Sequence, residues 1–197
     1  MYQCHPFMWL AREPPRFMYV VMNTTRLFPR LAFAFFLAVP AFLSGPATAQ
    51  EATLLGSLDD WEAYRESDGG KPVCFMGAQP KKAKGKYKKR GETYVLITHR
   101  PSEKSFGVVS VRAGYAFKKE TEATITIGKN SFRLFTDIGY AFAKDKKTDT
   151  ALVKAMIRGA NMVIRGTSSR GTKTPDTYSL KGVAASWKAI NRACKAK

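Results

Sequence analysis

The sequence predicts a mainly β protein, folded as a β-sandwich or a compact β-barrel with one or two short helices. Three observations lead to this prediction. Short runs rich in β-branched and aromatic residues recur along residues 61–180, turn residues separate them, and helical spacing of apolar residues occurs in only two segments. We see no internal repeat and no boundary of a second domain, so we expect residues 50–197 to form a single β-sandwich domain.

The strands are predicted from alternating side chains and from the turns between them. Residues 61–66 alternate aromatic and polar side chains, and the turn at 67–70 leads into a second strand at 71–79. Further strands are predicted at 94–98, 107–113, 123–127, 131–135, 140–143, 161–165 and 177–180. Six aromatic residues, mostly at alternate strand positions, are assigned to the core: Trp61, Tyr94, Phe106, Phe117, Phe132 and Phe135.

Two segments have the apolar spacing of helices. In the first, residues 149–158, we expect Thr148 or Asp149 to cap the helix and Gly159 to end it. The second, residues 183–193, is a closing helix near the C-terminus. These two short helices complete the predicted fold.

The N-terminal part has the order of a secretory signal peptide. Residues 31–43 are continuously apolar, Arg26 and Arg30 precede them, and a small-residue box at 47–49 follows. The apolar run is shorter than the roughly 20 residues of a membrane-spanning helix. We therefore assign residues 22–49 to the signal peptide and expect cleavage after Ala49, no transmembrane anchor after cleavage, and a periplasmic or secreted product. A buried helix or an uncleaved anchor is the alternative.

Residues 1–21 do not resemble the start of a signal peptide, and we interpret them as an upstream gene-model extension, with translation beginning at Met22. The whole sequence contains 33 lysines and arginines against 15 acidic residues, a net charge of +18. Removal of residues 1–49 takes away four basic residues and one acidic residue and leaves +15. Such an excess favours anionic partners and carries no information about the fold.

The cysteine count predicts one disulfide. Of the three cysteines, Cys4 belongs to the segment that cleavage removes, which leaves Cys74 and Cys194 in an oxidising compartment. Pairing them would close nearly the whole domain as one loop, worth roughly 4–5 kcal/mol in the chain-entropy model. Two separate buried thiols are the alternative.

The densest cluster of charge is a polar insertion at residues 81–90, which we call the basic loop. Clustered cations bind polyanions because counterions are released, and they attract anionic lipid head groups. Tyr87 in this loop has a ring that could stack on a sugar or a base. The alternative is a solvated loop that only keeps the protein soluble. The predicted anion-binding residues are Lys81, Lys82, Lys84, Lys86, Lys88, Lys89 and Arg90.

Other candidates for chemistry are weaker. His99 is the one histidine of residues 50–197 and has no evident carboxylate or nucleophile partner, so we interpret it as structural. Residues 165–171, Arg-Gly-Thr-Ser-Ser-Arg-Gly, predict a hairpin turn that could present a small anion site. Because nucleotide-binding, metal-binding and nucleophile motifs are missing from the sequence, we expect no catalytic residues, no cofactor, no metal and no nucleic-acid partner.

Six segments in fixed order carry a resemblance to a known family: 60–61 (Asp-Trp), 73–76 (Val-Cys-Phe-Met), 94–101, 162–171, 177–182 and 189–194. Together they resemble the invasion-associated locus B family of alphaproteobacterial exported proteins. The resemblance covers essentially all of the predicted mature domain. It implies an immunoglobulin-like β-sandwich in the periplasm or secreted space, with a signal peptide, no cofactor and no catalytic residues.

Charge and resemblance together predict an exported, non-catalytic protein that contacts an anionic envelope polymer, lipid head groups or an acidic host-surface glycan through its basic surface. The alternative is a periplasmic protein-interaction, accessory or chaperone module with a protein partner at a sheet edge or apolar patch.

Overall fold

The computed structural model describes residues 52–196, so the predicted extension at 1–21 and signal peptide at 22–49 lie outside the described residues. The helices are α1 (Lys146–Arg158) and α2 (Val183–Ala193), and a short 3-10 helix covers Pro101–Glu103. The eleven strands are β1 (Thr53–Leu58), β2 (Trp61–Asp68), β3 (Lys71–Ala78), β4 (Lys82–Ala83), β5 (Tyr94–Arg100), β6 (Ser105–Arg112), β7 (Ala123–Ile127), β8 (Asn130–Asp137), β9 (Tyr140–Phe142), β10 (Asn161–Thr167) and β11 (Lys173–Ser179).

The strands form an antiparallel arrangement in the order β1-β2-β3-β5-β6-β9-β8-β7-β10-β11-β4. The first layer contains β1, β2, β3, β5, β6 and β9, and the second contains β4, β7, β10 and β11. Strand β8 belongs to both layers, because its first half pairs with β7 and its last residues pair with β9. The outermost strands of the described chain, β1 and β4, do not pair with each other, so the sheet is not closed. The fold is therefore the predicted mainly β sandwich with two short helices, and the barrel alternative is wrong.

Alternating side chains explain why these segments form strands with one buried face. In β5, Val95, Ile97 and His99 are buried while the residues between them are partly exposed. Trp61, at the start of β2, is fully buried, and its indole Nε1 donates a 2.9 Å hydrogen bond to the carbonyl oxygen of Ser179 in β11. This bond ties the first layer to the second.

Helix α1 begins earlier than predicted. Asp145 is its N-cap, and its side chain accepts a hydrogen bond from the backbone N–H of Thr148, so the predicted caps Thr148 and Asp149 are wrong. The carboxylate of Asp149 is buried and instead accepts a 2.9 Å hydrogen bond from the backbone N–H of Val109 in β6. The helix ends at Gly159, as predicted.

Helix α2 has the predicted bounds and packs against β1, β2 and β3. Gly182 precedes it with a φ of +97°, a backbone conformation that side chains with a Cβ rarely adopt. A Cβ at this position would collide with the carbonyl oxygen of Leu58. The close approach of β1 to the start of α2 therefore requires glycine.

A disulfide joins Cys74 in β3 to Cys194, the residue that caps α2, across 120 positions of sequence. Both residues are buried. The bond fixes the C-terminal helix to the sheet, and it is the pairing that the cysteine count predicts.

Three features of the fold differ from the sequence prediction. Strands β1 and β4 have no counterpart in it, and β11 begins at Lys173 rather than at residue 177. Among the predicted core aromatics, Trp61 and Phe117 are buried, but Phe135 is 49% exposed, so its assignment to the core is wrong. Phe135 instead packs its ring against that of Phe142, with 5.7 Å between the ring centroids.

Candidate functional site

The basic loop is attached to the sheet along its first half. Residues Lys82–Ala83 form the edge strand β4, in which Ala83 lies opposite Asp176 of β11. The backbone N–H of Lys81 donates a 2.8 Å hydrogen bond to the carbonyl oxygen of Thr177, and that of Lys84 donates a longer one to Pro175. The loop is therefore held against β11 by main-chain hydrogen bonds.

All six lysines of the basic loop are exposed. The ammonium group of Lys81 lies 2.5 Å from the carboxylate of Asp60, so its charge is partly matched. The other five lysines form no ion pair with a residue that the structure describes. They are Lys82, Lys84, Lys86, Lys88 and Lys89. We call these five residues the free lysines.

Arg90 differs from the lysines because its side chain is only 4% exposed. Its guanidinium donates hydrogen bonds of 2.7 and 2.6 Å to the two carboxylate oxygens of Asp176, and its Nε donates to the carbonyl oxygen of Ala113. It also lies 5.1 Å from the ring centroid of Tyr115. The charge of Arg90 is thus matched inside the protein by Asp176, and Arg90 does not lie at the surface with the lysines.

Tyr87 is 39% exposed and is held within the loop. Its hydroxyl donates a hydrogen bond of 3.2 Å to the carbonyl oxygen of Ala83, and the guanidinium of Arg90 lies 5.5 Å from its ring centroid. The guanidinium therefore takes up part of the ring surface that stacking on a ligand would require.

The turn between β10 and β11 lies beside the basic loop. The carbonyl oxygen of Lys86 accepts a 3.4 Å hydrogen bond from the hydroxyl of Thr172. Gly85 has a φ of +145°, and a Cβ placed there would lie 3.1 Å from the carbonyl oxygen of Lys173. The loop and the turn are therefore packed against each other at this point.

A shallow depression of about 380 Å³ lies where the basic loop meets this turn. Its lining includes three exposed cationic residues and no acidic residue. The lining residues are Lys86, Arg170, Gly171, Thr172 and Lys173. Sequence reasoning singled out Lys86 and Arg170 in separate segments but missed Lys173, because only the pairing of β10 with β11 brings it back beside the turn.

Arg165, the other arginine of the predicted turn, lies elsewhere. It is an exposed residue of β10 whose register partner in β7 is Thr124, and its guanidinium makes a long 3.5 Å contact with the hydroxyl of Thr126. It does not line the depression. Of the two arginines in residues 165–171, only Arg170 therefore joins the basic loop.

His99 is fully buried, and both of its ring nitrogens have partners. The backbone N–H of Gly107 donates a 2.9 Å hydrogen bond to Nδ1, so the proton is on Nε2, which donates to the amide oxygen of Asn191 in α2 at 2.8 Å. Burial lowers the pKa of His99, although the bond to Asn191 opposes that shift.

The family model described as "Invasion associated locus B (IalB) protein" matches residues 61–191. The chain belongs to this family. The match spans both layers of the sandwich, from Trp61 to Asn191, the residue of α2 that is hydrogen-bonded to His99.

A crystal structure supports the IalB-type fold. The chain is similar to invasion associated protein B from Bartonella henselae, with a TM-score of 0.50 and 14% sequence identity over 73% of this chain and 97% of that chain. At this identity the likeness concerns the fold. No curated protein matches the chain.

Two further observations concern what this IalB-family domain contains. Within residues 52–196 there is no group of three or more histidine, cysteine or acidic side chains able to hold a metal ion. In the same part of the chain, neither α1 nor α2 combines the length and apolar character that crossing a membrane would require.

Proposed function

We propose that this IalB-family chain is an exported, non-catalytic protein that contacts an anionic envelope or host-surface partner through its basic loop. The observation that carries the proposal is the set of free lysines held at the edge of the sheet. The partner classes are an envelope polymer, anionic lipid head groups and an acidic glycan.

The attachment of the loop supports binding in physical terms. A loop already hydrogen-bonded to β11 loses less conformational freedom on binding than an unattached one. Five cations without an internal counterion are available to displace the counterions of a polyanion. The net charge of +15 on residues 50–197 adds long-range attraction to any anionic surface.

Export and the lack of catalysis rest on separate observations. The Cys74–Cys194 disulfide supports a periplasmic or secreted location, because disulfides persist in oxidising compartments. The hydrogen bonds on both ring nitrogens of His99 support a structural role for the one histidine of residues 50–197.

The test measures sedimentation of the exported protein with isolated envelopes and with an acidic glycan at two salt concentrations. In the loop variant the five free lysines are changed to glutamine, while Lys81 and Arg90 are kept. We expect the wild type to bind at low salt and to bind only weakly at high salt. We expect the loop variant to lose most of this binding.

A matched control loses the same charge elsewhere. It carries five exposed lysines changed to glutamine: Lys129, Lys144, Lys147, Lys154 and Lys188. If the control loses as much binding as the loop variant, net charge explains the binding and the basic loop is not the site. If the wild type does not bind at all, the proposal is wrong.

A second candidate is a protein-interaction or accessory module that uses strand β1. This strand is at the edge of the described sheet, and its Leu54 and Leu55 are 51% and 37% exposed. Pairing at a strand edge depends little on ionic strength. Binding of an envelope protein that survives high salt, and that is lost in Leu55→Pro but not in the loop variant, would favour this candidate.

A further inference from the structure

We propose that the depression between the basic loop and the β10–β11 turn is a binding site for a terminal phosphate group. This inference rests on the proposed function and makes it more specific, because it names the chemistry of one subsite. The three cations of the site are Lys86 from the basic loop and Arg170 and Lys173 from the β10–β11 hairpin.

Charge is the first reason. Three exposed cationic residues line one depression of about 380 Å³, and none of them forms an ion pair with a described residue. A phosphate monoester carries about 1.5 to 2 negative charges near neutral pH, against one for a carboxylate or a phosphodiester. A site with three unmatched cations therefore favours the terminal phosphate.

A second depression shows what a matched site looks like. It is lined by two cationic residues, Arg100 and Lys71, together with Asp68 and Glu103, and the guanidinium of Arg100 lies 3.1 Å from the Asp68 carboxylate and 3.9 Å from that of Glu103. The two cations there are accompanied by two carboxylates. The depression at Lys86 has none in its lining.

Rigidity is the second reason. In the β10–β11 turn, the backbone N–H of Ser168 donates to the carbonyl oxygen of Thr172 at 2.9 Å, and the N–H of Thr172 donates to the hydroxyl of Ser168 at 3.1 Å. The N–H of Gly171 donates to the carbonyl oxygen of Ser168 at 2.8 Å. These bonds fix the backbone from which Arg170 and Lys173 extend.

The basic loop is fixed to the same turn through the hydrogen bond between Thr172 and Lys86. Binding therefore does not have to assemble the three cations from separate mobile segments. The guanidinium of Arg170 offers two parallel N–H donors to phosphate oxygens, and the ammonium groups of Lys86 and Lys173 add point charges.

The experiment measures binding of the exported protein to phosphatidylcholine vesicles containing either phosphatidic acid, which has a terminal phosphate, or phosphatidylglycerol, which has a phosphodiester. The two vesicle types are adjusted to equal surface charge. We expect at least several-fold tighter binding to the phosphatidic acid vesicles. We also expect inorganic phosphate to compete better than sodium acetate at equal ionic strength.

The pocket variant combines Arg170→Gln with Lys173→Gln, and its control combines Arg65→Gln with Lys129→Gln, which removes the same charge from other exposed positions. We expect the pocket variant to lose at least about tenfold in affinity for phosphatidic acid vesicles, since the loss of a single charge-assisted contact already costs about that much, and to lose its preference over phosphatidylglycerol. The control should keep that preference.

The outcomes separate this inference from the proposed function. Equal binding to both vesicle types, or equal losses in the pocket variant and its control, overturns the phosphate site while leaving the basic loop as a general anion-binding surface. Equal competition by acetate and phosphate also overturns it. Binding of inorganic phosphate to the wild type but not to the pocket variant, without any vesicle binding, supports the site and removes lipid as the source of the phosphate.

Discussion

The guanidinium of Arg90 and the carboxylate of Asp176 form a two-point ion pair, with hydrogen bonds of 2.7 and 2.6 Å and side chains that are 4% and 5% exposed. Arg90 ends the basic loop, and Asp176 lies in β11 opposite Ala83, near the beginning of that loop. Both ends of the basic loop are therefore fastened to the same strand. The ion pair closes the loop on the hairpin that carries Arg170 and Lys173.

Removing one partner of this pair should strongly destabilise the fold. Breaking a buried ion pair leaves an unmatched buried charge, which typically costs about 3–5 kcal/mol. We expect Arg90→Met and Asp176→Leu each to lower the free energy of unfolding by roughly that amount in urea titrations. The double variant should be more stable than the sum of the two losses predicts, because neither charge is then left unmatched.

The control for this cycle is Arg133→Met, which removes an arginine whose ion pair with Glu122 is exposed. Exposed pairs contribute about 0–1 kcal/mol, so this change should be nearly neutral. Strictly additive effects at Arg90 and Asp176 would contradict the ion pair as the source of the stability.

The same pair illustrates a distinction that the sequence alone does not predict. In the sequence, Arg90 looks like the last member of a uniform run of cations, and nothing local distinguishes it from Lys89. Its partner is 86 positions away in β11, so the distinction arises only from tertiary structure. Strand β4 escaped prediction for the same reason, because two residues in a lysine-rich segment become a strand only by pairing with β11.

Features set by local pattern were predicted well. The strand at residues 123–127 and the helix at 183–193 have the predicted bounds, because side-chain alternation and helical spacing are local properties. The choice between sandwich and barrel depends on whether β1 and β4 pair, which no local pattern determines. Phe135 follows the buried Leu134 directly, and successive side chains of a strand point to opposite faces, so its ring lies on the outer face with Arg133.

The disulfide should account for a large part of the stability. It closes a loop of 120 positions, for which the chain-entropy model gives roughly 4–5 kcal/mol. We expect the paired change Cys74→Ser with Cys194→Ser to lower the free energy of unfolding by about this amount in urea titrations. The wild type measured with a thiol reductant should approach the variant, and the reductant should have no effect on the variant. Equal stability with and without reductant would contradict this account.

His99 should make the fold less stable as the pH falls. Its pKa is lowered in the folded state because the ring is buried, whereas in the unfolded chain it is about 6.5. Above about pH 6.5 the ring is neutral in both states and contributes no pH dependence. Below that pH the unfolded chain takes up a proton that the folded state resists, so stability is lost until the pH reaches the lowered folded pKa.

The measurement compares the pH dependence of the free energy of unfolding in the wild type and in His99→Gln. The acidic groups contribute equally in both proteins, so their contribution cancels in the difference. We expect only the wild type to show the His99 contribution below about pH 6.5. Because His99 is the one histidine of residues 50–197, its ring signals in NMR spectra give the folded pKa without ambiguity of assignment. A folded pKa at or above the usual value would contradict the prediction.

Ser186 offers a stabilising change. It is fully buried in α2, and its Oγ has no hydrogen-bond partner among the described residues. An unsatisfied buried hydroxyl costs roughly 1–3 kcal/mol, and alanine is also the better helix former. We expect Ser186→Ala to raise the free energy of unfolding by about 1 kcal/mol and the melting temperature by about 3 °C.

The matched control for Ser186→Ala is Thr150→Ala in α1, an exposed residue whose hydroxyl donates to the carbonyl oxygen of Lys146. This change also gains helix propensity but relieves no buried unsatisfied group, so its effect should be smaller. Ser186→Thr keeps the hydroxyl and adds a methyl group to a closed site, so it should destabilise the fold. Destabilisation by Ser186→Ala would instead show that the hydroxyl makes a bond that holds α2 against the sheet.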